Sequence, residues 1–455
     1  MKMNSRRDFI KKLGVSTAAL SVGNTLLGSH TASAFSAKSY RNIIGANERI
    51  RIATIGVNSR GNSMGGTFAQ QQNTEVACVC DVDERTIPKA IKRIMDAGQT
   101  STPQSEKDLR RVLENKNIDA IYTATPDHWH APLTIMACQA GKHVYVEKPM
   151  AHNPAEGEIA IAAARKYDRV VQMGAQRRSA PILTKGINLL HEGIIGKVYM
   201  AKTWYTNTRK ATFLKPGTVP SWLDYDLWQG PAPRMPYKAG LIHYDWHWFW
   251  HWGTGEALNN GTHEVDVARW GLQADYPVRV GSMGGRYHFR DDWETPDTQI
   301  VTIAYPNATL IWEGRSCNGQ KVEGKDRGIV FYGEKGSLAT GEDAFSLYDL
   351  DGKLIETEEA TEGGEAMQGR NTASPSLGMD SLHAADFLDA IRNSRRPNCD
   401  IELGYKSTVA MLLGNIAWRL GRNLKINPQN GHILDDSEAE KLWSRTYEPG
   451  WEPRI

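Results

Sequence analysis

The stretch IRIATIGVNSRGNSMGG, from Ile50 to Gly66, followed by TEVACVCDVD, from Thr74 to Asp83, decides the fold. A β-rich run, Ile50 to Ile55, breaks at Gly56, and a helix is predicted to begin near Gly61. Gly56 permits the tight turn, and Gly61 lets the helix start approach a pyrophosphate whose charge is met by free amide groups. The middle glycine of the usual G-x-G-x-x-G is Asn58 here, so the phosphates would meet Asn58, Ser59 and Arg60. An ordinary strand-to-helix turn would read much the same. The second run supplies the discriminating residue, because it ends in Asp81, 20 residues after Gly61. A carboxylate there binds both hydroxyls of an adenine ribose and repels a 2'-phosphate, so NAD is expected rather than NADP.

Downstream, ATPDHWHAPLTIMACQAGKHVYVEKP spans Ala124 to Pro149. It reads as a strand end, a polar loop, a helix near Pro132–Ala140 and a strand that carries Glu147, Lys148 and Pro149 to its tip. Strand tips at the carboxyl edge of a parallel sheet are where such folds place ligands. A lysine among apolar neighbours there can be tuned towards acid/base work. Thr125, Pro126, His128, His130, Glu147 and Lys148 are therefore expected at the cofactor, and Asp127 and Trp129 at the substrate. The plain alternative for Asp127 is capping of the helix that follows it.

Strands and helices alternate from Ile50 to Met173, which implies an α/β, doubly wound parallel sheet. Beyond Gln176 the pattern changes. Runs at 197–207, 278–289, 298–314, 328–341 and 345–357 read as strands joined by turns at Pro306-Asn307 and Asp351-Gly352. With helices expected at Ala180–His191, Gly261–Trp270, Ser381–Asn393 and Tyr405–Gly421, this part is an α+β unit on an open, mainly antiparallel sheet. The divisions are then residues 1–34, an arm at 35–48, a dinucleotide-binding domain at 49–173, and a substrate and oligomerisation domain at 174–455. The polar segment Gly363–Pro375 reads as a long surface loop.

Arg6 and Arg7 precede a weakly apolar run and a TASAF site, a twin-arginine export signal with cleavage after Ala34. That run is too short and too polar for a membrane anchor. Periplasmic localisation is expected, with 421 residues left after cleavage. A net charge of +2 spread along the chain argues against nucleic acid as partner. Five cysteines in so long a chain do not make a disulfide framework, and Cys78 and Cys80 are expected to pack.

The segment GLIHYDWHWFWHWGTG, Gly240 to Gly255, carries four tryptophans. Such aromatics, with Tyr244 and Trp248 foremost, suit stacking on the apolar faces of sugar rings, and aromatic core packing explains them equally. His243, His247 and His251 are spaced as metal ligands on a helix would be, but the β-prone composition disfavours a helix and no metal site is expected. Gln176 and Arg177 follow another predicted strand, within reach of substrate hydroxyls, with surface solvation the alternative for Arg177 and its neighbour Arg178.

These features resemble the Gfo/Idh/MocA family of nicotinamide-dependent sugar oxidoreductases. The resemblance rests on Glu147-Lys148-Pro149, Ala124-Thr125-Pro126, Gly141 to Val144, and later EGIIGKV, LWQGPAP and GTHEVDVARW. It implies a Rossmann domain followed by the open-sheet domain, a homo-oligomer and bound NAD. It also implies a D-x-G-x-H landmark, which reads Asn259-Asn260-Gly261-Thr262-His263 here. Asn259 can orient a hydroxyl but cannot take its proton. Proton transfer is therefore assigned to His263 with Lys148 stabilising the substrate oxygen, and Asp266 shares the helical face of His263 and is expected to orient it. Three readings follow: an exported sugar or glycoside dehydrogenase, with a 3-keto sugar among its candidate products; an NAD-dependent glycosidase working through a transient ketone; or a non-catalytic sugar binder on the same scaffold.

Overall fold

The computed structural model describes residues 49–360 and 377–455. The expected export signal, the arm and the Gly363–Pro375 loop lie outside them. Among the described residues no helix is long and apolar enough to cross a membrane.

The first half alternates as its sequence predicts: β1 (Ile50–Ile55), α1 (Ser59–Ala69), β2 (Thr74–Cys80), α2 (Ile87–Asp96), β3 (Gln104–Glu106), α3 (Leu109–Glu114), β4 (Ala120–Thr123), α4 (Asp127–Gln139), β5 (His143–Val146), α5 (Pro154–Lys166) and β6 (Val171–Met173). The strands pair in parallel in the order β3-β2-β1-β4-β5-β6. Helices cover both faces, which is why β1, β4 and β5 are near-continuous apolar runs. Ile52, Val79, Ile121 and Val144 are fully buried, each such side chain contributing about 1.5–3 kcal/mol of transfer free energy. Helix α4 starts at Asp127, five residues before the expected start. Pro132 sits inside it and cannot donate to the His128 carbonyl one turn back. That carbonyl instead accepts from Arg445 Nη2 at 2.7 Å.

The second half contains α6 (Pro181–His191), β7 (Val198–Thr206), α7 (Gly255–Asn259), α8 (Gly261–Leu272), β8 (Arg279–Gly285), β9 (Thr298–Ala304), β10 (Thr309–Arg315), β11 (Arg327–Gly333), β12 (Gly336–Thr340), β13 (Ala344–Tyr348), β14 (Leu354–Glu359), α9 (Leu377–Arg392), α10 (Ile401–Leu420), β15 (Leu424–Ile426) and β16 (Ile433–Leu434). Its ten strands run β14-β13-β12-β11-β7-β10-β9-β8-β15-β16, antiparallel except for β7 beside β10. Residues alternate between faces: Val301 and Ile303 of β9 are buried, whereas Ile300 is 45% exposed and its neighbour Met283 on β8 78% exposed. Helices α8 and α10 pack on the buried face. Helix α9 does not join them, because Ala384, Phe387 and Leu388 complete the core of the first sheet, with Phe387 edge-on to Tyr145. The short strands β3, β15 and β16 were not expected; each is three residues or fewer, too short to show a period. All five cysteines are free thiols.

Candidate active site

The carboxyl ends of β1, β2, β4 and β5 open into one cavity of about 1180 Å³, whose other wall is the irregular segment 207–248 together with Asn259, His263 and Trp293. This exceeds what a single sugar needs.

At one end lies the glycine turn. Gly56 has φ of +76°, and a Cβ there would lie 2.8 Å from the Thr125 amide nitrogen. Asn58 and Ser59 line the cavity at the start of α1, so the positive end of that helix's dipole faces it. Gly61 does not line it. Its place is behind the turn, where a Cβ would meet the Gly56 carbonyl oxygen at 1.8 Å; close packing, rather than room for a phosphate, requires the glycine. Asp81, at the tip of β2, accepts from the Val57 amide at 2.7 Å and the Asp83 amide at 2.9 Å. Burial pushes its carboxyl up, against those two bonds. Arg60 and Glu147 line the cavity but are spent on each other: Arg60 donates to Glu147 at 2.9 Å and to both oxygens of Asp380 on α9, and Glu147 also accepts from Tyr122. This network ties α9 to the cradle while both side chains line the cavity.

At the other end Lys148 Nζ donates to the Asn259 carbonyl at 2.5 Å and to Asn259 Oδ1 at 3.2 Å, which leaves its third N–H for the cavity. Burial lowers the Lys148 ammonium below its usual range, while the carboxylates of Glu147, Asp127 and Glu256 oppose that shift. His263 lines the same cavity. Burial first, then the charges of Lys148, Arg177 and Arg327, hold its imidazole well below the ordinary value. It is thus neutral at physiological pH and able to accept a proton. Asn259, which replaces the expected carboxylate, orients the lysine; its amide donates to Glu256 at 3.3 Å.

Several predicted residues fall elsewhere. His128 is fully buried between the Trp252 and Trp228 carbonyls and does not line this cavity. Arg177 is buried between Glu264 and Glu342, and Arg178 between the oxygens of Asp266. Neither arginine is solvated or free for substrate, since each answers a buried carboxylate. Asp266 is consumed by Arg178 and Ser407 and does not orient His263. His130 lines the cavity while bridging the Pro149 and Thr125 carbonyls, which ties two strand tips together. Thr125, Pro126, Asp127, Trp129, Gln176, Tyr244 and Trp248 all line it. Asp127 accepts from Thr254 at 2.6 Å, and Pro126 occupies the N-cap position of α4 without a side-chain cap bond. The Trp129 indole donates to the Trp228 carbonyl, so only part of its ring faces a ligand. Gln176 lies against the Tyr145 hydroxyl.

The aromatic segment both packs and lines the cavity. Trp246, Trp248, Trp252 and Trp293 form a buried cluster of their own, and three of them present faces or edges to the cavity. His243, His247 and His251 bond separately to Asp83, the Tyr244 carbonyl and the Pro233 carbonyl, and the described residues hold no group of potential metal ligands. Sequence reasoning missed the Arg209–Glu256 ion pair, 3.0 Å, which abuts Tyr244 and Trp248. Glu256 lies one helical turn before Asn259, a spacing that could have revealed it.

Residues 50–175 match the model of the oxidoreductase family, NAD-binding Rossmann fold, and residues 187–414 that of its C-terminal alpha/beta domain. The chain belongs to the Gfo/Idh/MocA oxidoreductases. This family member is an NAD-binding enzyme, and the glycine turn, the start of α1 and Asp81 fit that cofactor. Among its relatives is a glycosyl hydrolase family 109 protein of Shewanella baltica, 26% identical over 208 residues, 44% of this chain and 45% of that one. An alpha-N-acetylgalactosaminidase of Shewanella oneidensis matches to the same extent. The chain thus spans less than half the length of these relatives. In fold it is similar to levoglucosan dehydrogenase in complex with NADH and levoglucosan, with a TM-score of 0.65 and 17% identity over 83% of this chain and 99% of that one. An aldose-aldose oxidoreductase from Caulobacter crescentus gives 0.61 and 20% over 83% and 100%.

Proposed function

We propose that the protein is a periplasmic NAD-dependent oxidoreductase acting on a secondary hydroxyl of a sugar or glycoside. The observation that carries the reading is the meeting of Lys148 and His263 in one cavity with the dinucleotide cradle. Bound NAD supplies the hydride acceptor. The third N–H of Lys148 steadies the substrate oxygen as alkoxide charge develops, and neutral His263 takes the hydroxyl proton. Tryptophan faces and Arg209, held by the buried Glu256, supply the mixed apolar and polar wall a sugar requires. Loss of the family carboxylate at Asn259 favours a mere binder only if the lysine drifts, and Asn259 holds it.

Arg6 and Arg7 support twin-arginine export, which moves folded proteins with cofactor already loaded. No pool of free NAD exists outside, so the cofactor is recycled in place, either between two sugars or on a single one. The exposed apolar residues Met283 and Ile300 support self-association through the open sheet face. Mass spectrometry of the natively exported protein is expected to find stoichiometric NAD, and a C-deuterated glycoside to pass its label to it. An empty protein that turns over only on added NAD would sink the captive-cofactor reading, and absence of label transfer the oxidoreductase reading.

A second reading, redox-assisted cleavage of a glycoside, is favoured by the glycosidases among the relatives and by a second neutral imidazole in the cavity.

A further inference from the structure

Oxidation of one hydroxyl needs one base, and His263 fills that place. The cavity nevertheless holds a second oriented imidazole, His247, in the short turn Asp245–Trp248. Its Nδ1 lies 2.6 Å from the Tyr244 carbonyl oxygen. A carbonyl only accepts, so Nδ1 carries the proton and Nε2 is left as the basic nitrogen. The ring is stacked on Trp246, centroids 3.6 Å apart and planes 19° apart. Behind it the backbone of Gly253 closes so tightly that a Cβ there would lie 2.6 Å from His247 Cα. Nε2 has no hydrogen-bond partner among the described residues and is not among the buried unpartnered atoms, so it opens on the cavity. Burial, with Lys148 and Arg209 nearby, keeps the ring neutral.

We infer that His247 Nε2 is a second general base, which removes the proton from the carbon flanking a sugar ketone and so drives elimination of the aglycone from a keto-glycoside. The inference rests on the redox-assisted glycosidase reading and names the base which that reading lacks. The C–H bond breaks, its proton goes to Nε2, and its electron pair becomes the C=C bond of an unsaturated ketone. The glycosidic C–O bond breaks, its pair leaves on the aglycone oxygen, and that oxygen takes a proton from water. No net oxidation occurs in this step. A C–H beside a carbinol is a far weaker acid than one beside a ketone, so His247 has no task until the ketone exists. The substrate class for His247 is therefore a 3-keto-glycoside.

The test supplies that ketone directly. Holoenzyme is incubated in D2O with a panel of nitrophenyl 3-keto-hexosides, and deuterium at C2 and freed nitrophenol are read. Wild-type protein is expected to give both. His247→Asn, which keeps a donor for the Tyr244 carbonyl but has no basic nitrogen, is expected to lower both at least ~100-fold. Its thermal melting and bound NAD should match wild type, and added imidazole should restore exchange in His247→Ala. Wild-type exchange in His247→Asn would overturn the assignment while leaving the glycosidase reading intact. Absence of exchange in wild-type protein that still reduces NAD with the parent glycoside would overturn both, leaving the dehydrogenase. A His247→Asn protein that melts early while His247→Ala gains nothing from imidazole would reduce His247 to a structural residue.

Discussion

The two walls of the cavity are built on opposite plans. The nucleotide wall is made of strand tips and one helix start, fixed by regular backbone hydrogen bonding. The substrate wall, residues 207–253, contains little regular structure and is fixed by side chains: indole N–H groups on carbonyls, histidines on carbonyls, and a tryptophan cluster packed on itself. The walls meet at several points, Lys148 on Asn259 and Trp129 on the Trp228 carbonyl among them. Glu84 and Asp224 exchange backbone bonds with Trp222 and Val82, and His243 meets Asp83 at 2.7 Å. A common cofactor can be held by a shared backbone, whereas choice of substrate has to be written in individual side chains.

The sharpest break in this comparison is at Lys148, the nucleotide-wall residue held by the substrate wall. Lys148→Met is expected to lower hydride exchange from a deuterated glycoside by ~10³-fold or more, roughly 4 kcal/mol, through loss of charge at the developing alkoxide. NAD affinity should change little, because the glycine turn and Asp81 are untouched. Isothermal titration beside single-turnover exchange measures both, and unaltered exchange would remove Lys148 from the chemistry.

That contrast explains what could be read from the chain. The Rossmann order, the Asp81 position and Lys148 follow from local rules of period, turn and strand tip. Gly61 was correctly required, though the close partner is the Gly56 carbonyl. Long-range pairing defeated the rest. Nothing near His128 announces that Trp228 and Trp252 will bury it, and nothing near Arg177 announces Glu342. Helix α9 was placed by its period but not by its partner, because an apolar face does not say which sheet it will meet. Asn259 read as a loss; only with Lys148 beside it does it become the group that aims the amine.

Acid probes the nucleotide sheet on its own. Burial and the nearby Arg169 hold His143 down at about 4, and its Nδ1 accepts from the Val170 amide at 3.0 Å. As pH falls, the unfolded chain takes up this proton near pH 6.5 and the folded one only near 4. Stability is therefore lost across that window, by about 3 kcal/mol from this residue, and no further below it. His143→Asn keeps an acceptor and cannot titrate, so urea unfolding at pH 7 and pH 4.5 should show a correspondingly smaller acid loss. An equal loss in both proteins would place the acid sensitivity in the histidine-rich substrate wall.

Within that wall, His263→Asn is expected to cost ~10²-fold in single-turnover exchange, about 2.7 kcal/mol, with substrate affinity nearly kept. The pH profile discriminates. His263 is held neutral by burial and by the cations Lys148, Arg177 and Arg327, so exchange in wild-type protein should stay flat through pH 6–8 and the variant should gain a rise with hydroxide. A wild-type rise through pH 6.5 would mean an unburied imidazole and would sink the assignment.

The mildest effect is expected where backbone already does most of the work. Asp81 orders its own surroundings through the Val57 and Asp83 amides, and each oxygen retains a second lone pair for a ribose hydroxyl. Asp81→Asn keeps one acceptor oxygen, loses the charge and turns a donor towards one of those amides. NAD affinity should fall ~10-fold, about 1.4 kcal/mol, the scale of one charge-assisted hydrogen bond. NADP should bind better than it does to wild type, because the repulsion between carboxylate and 2'-phosphate is gone, and Arg93 and Lys107 line the same end of the cavity. Titration with the two cofactors gives the ratio directly. Equal losses for both would mean that Asp81 serves only the turn, and the nucleotide wall would then choose its cofactor by shape alone.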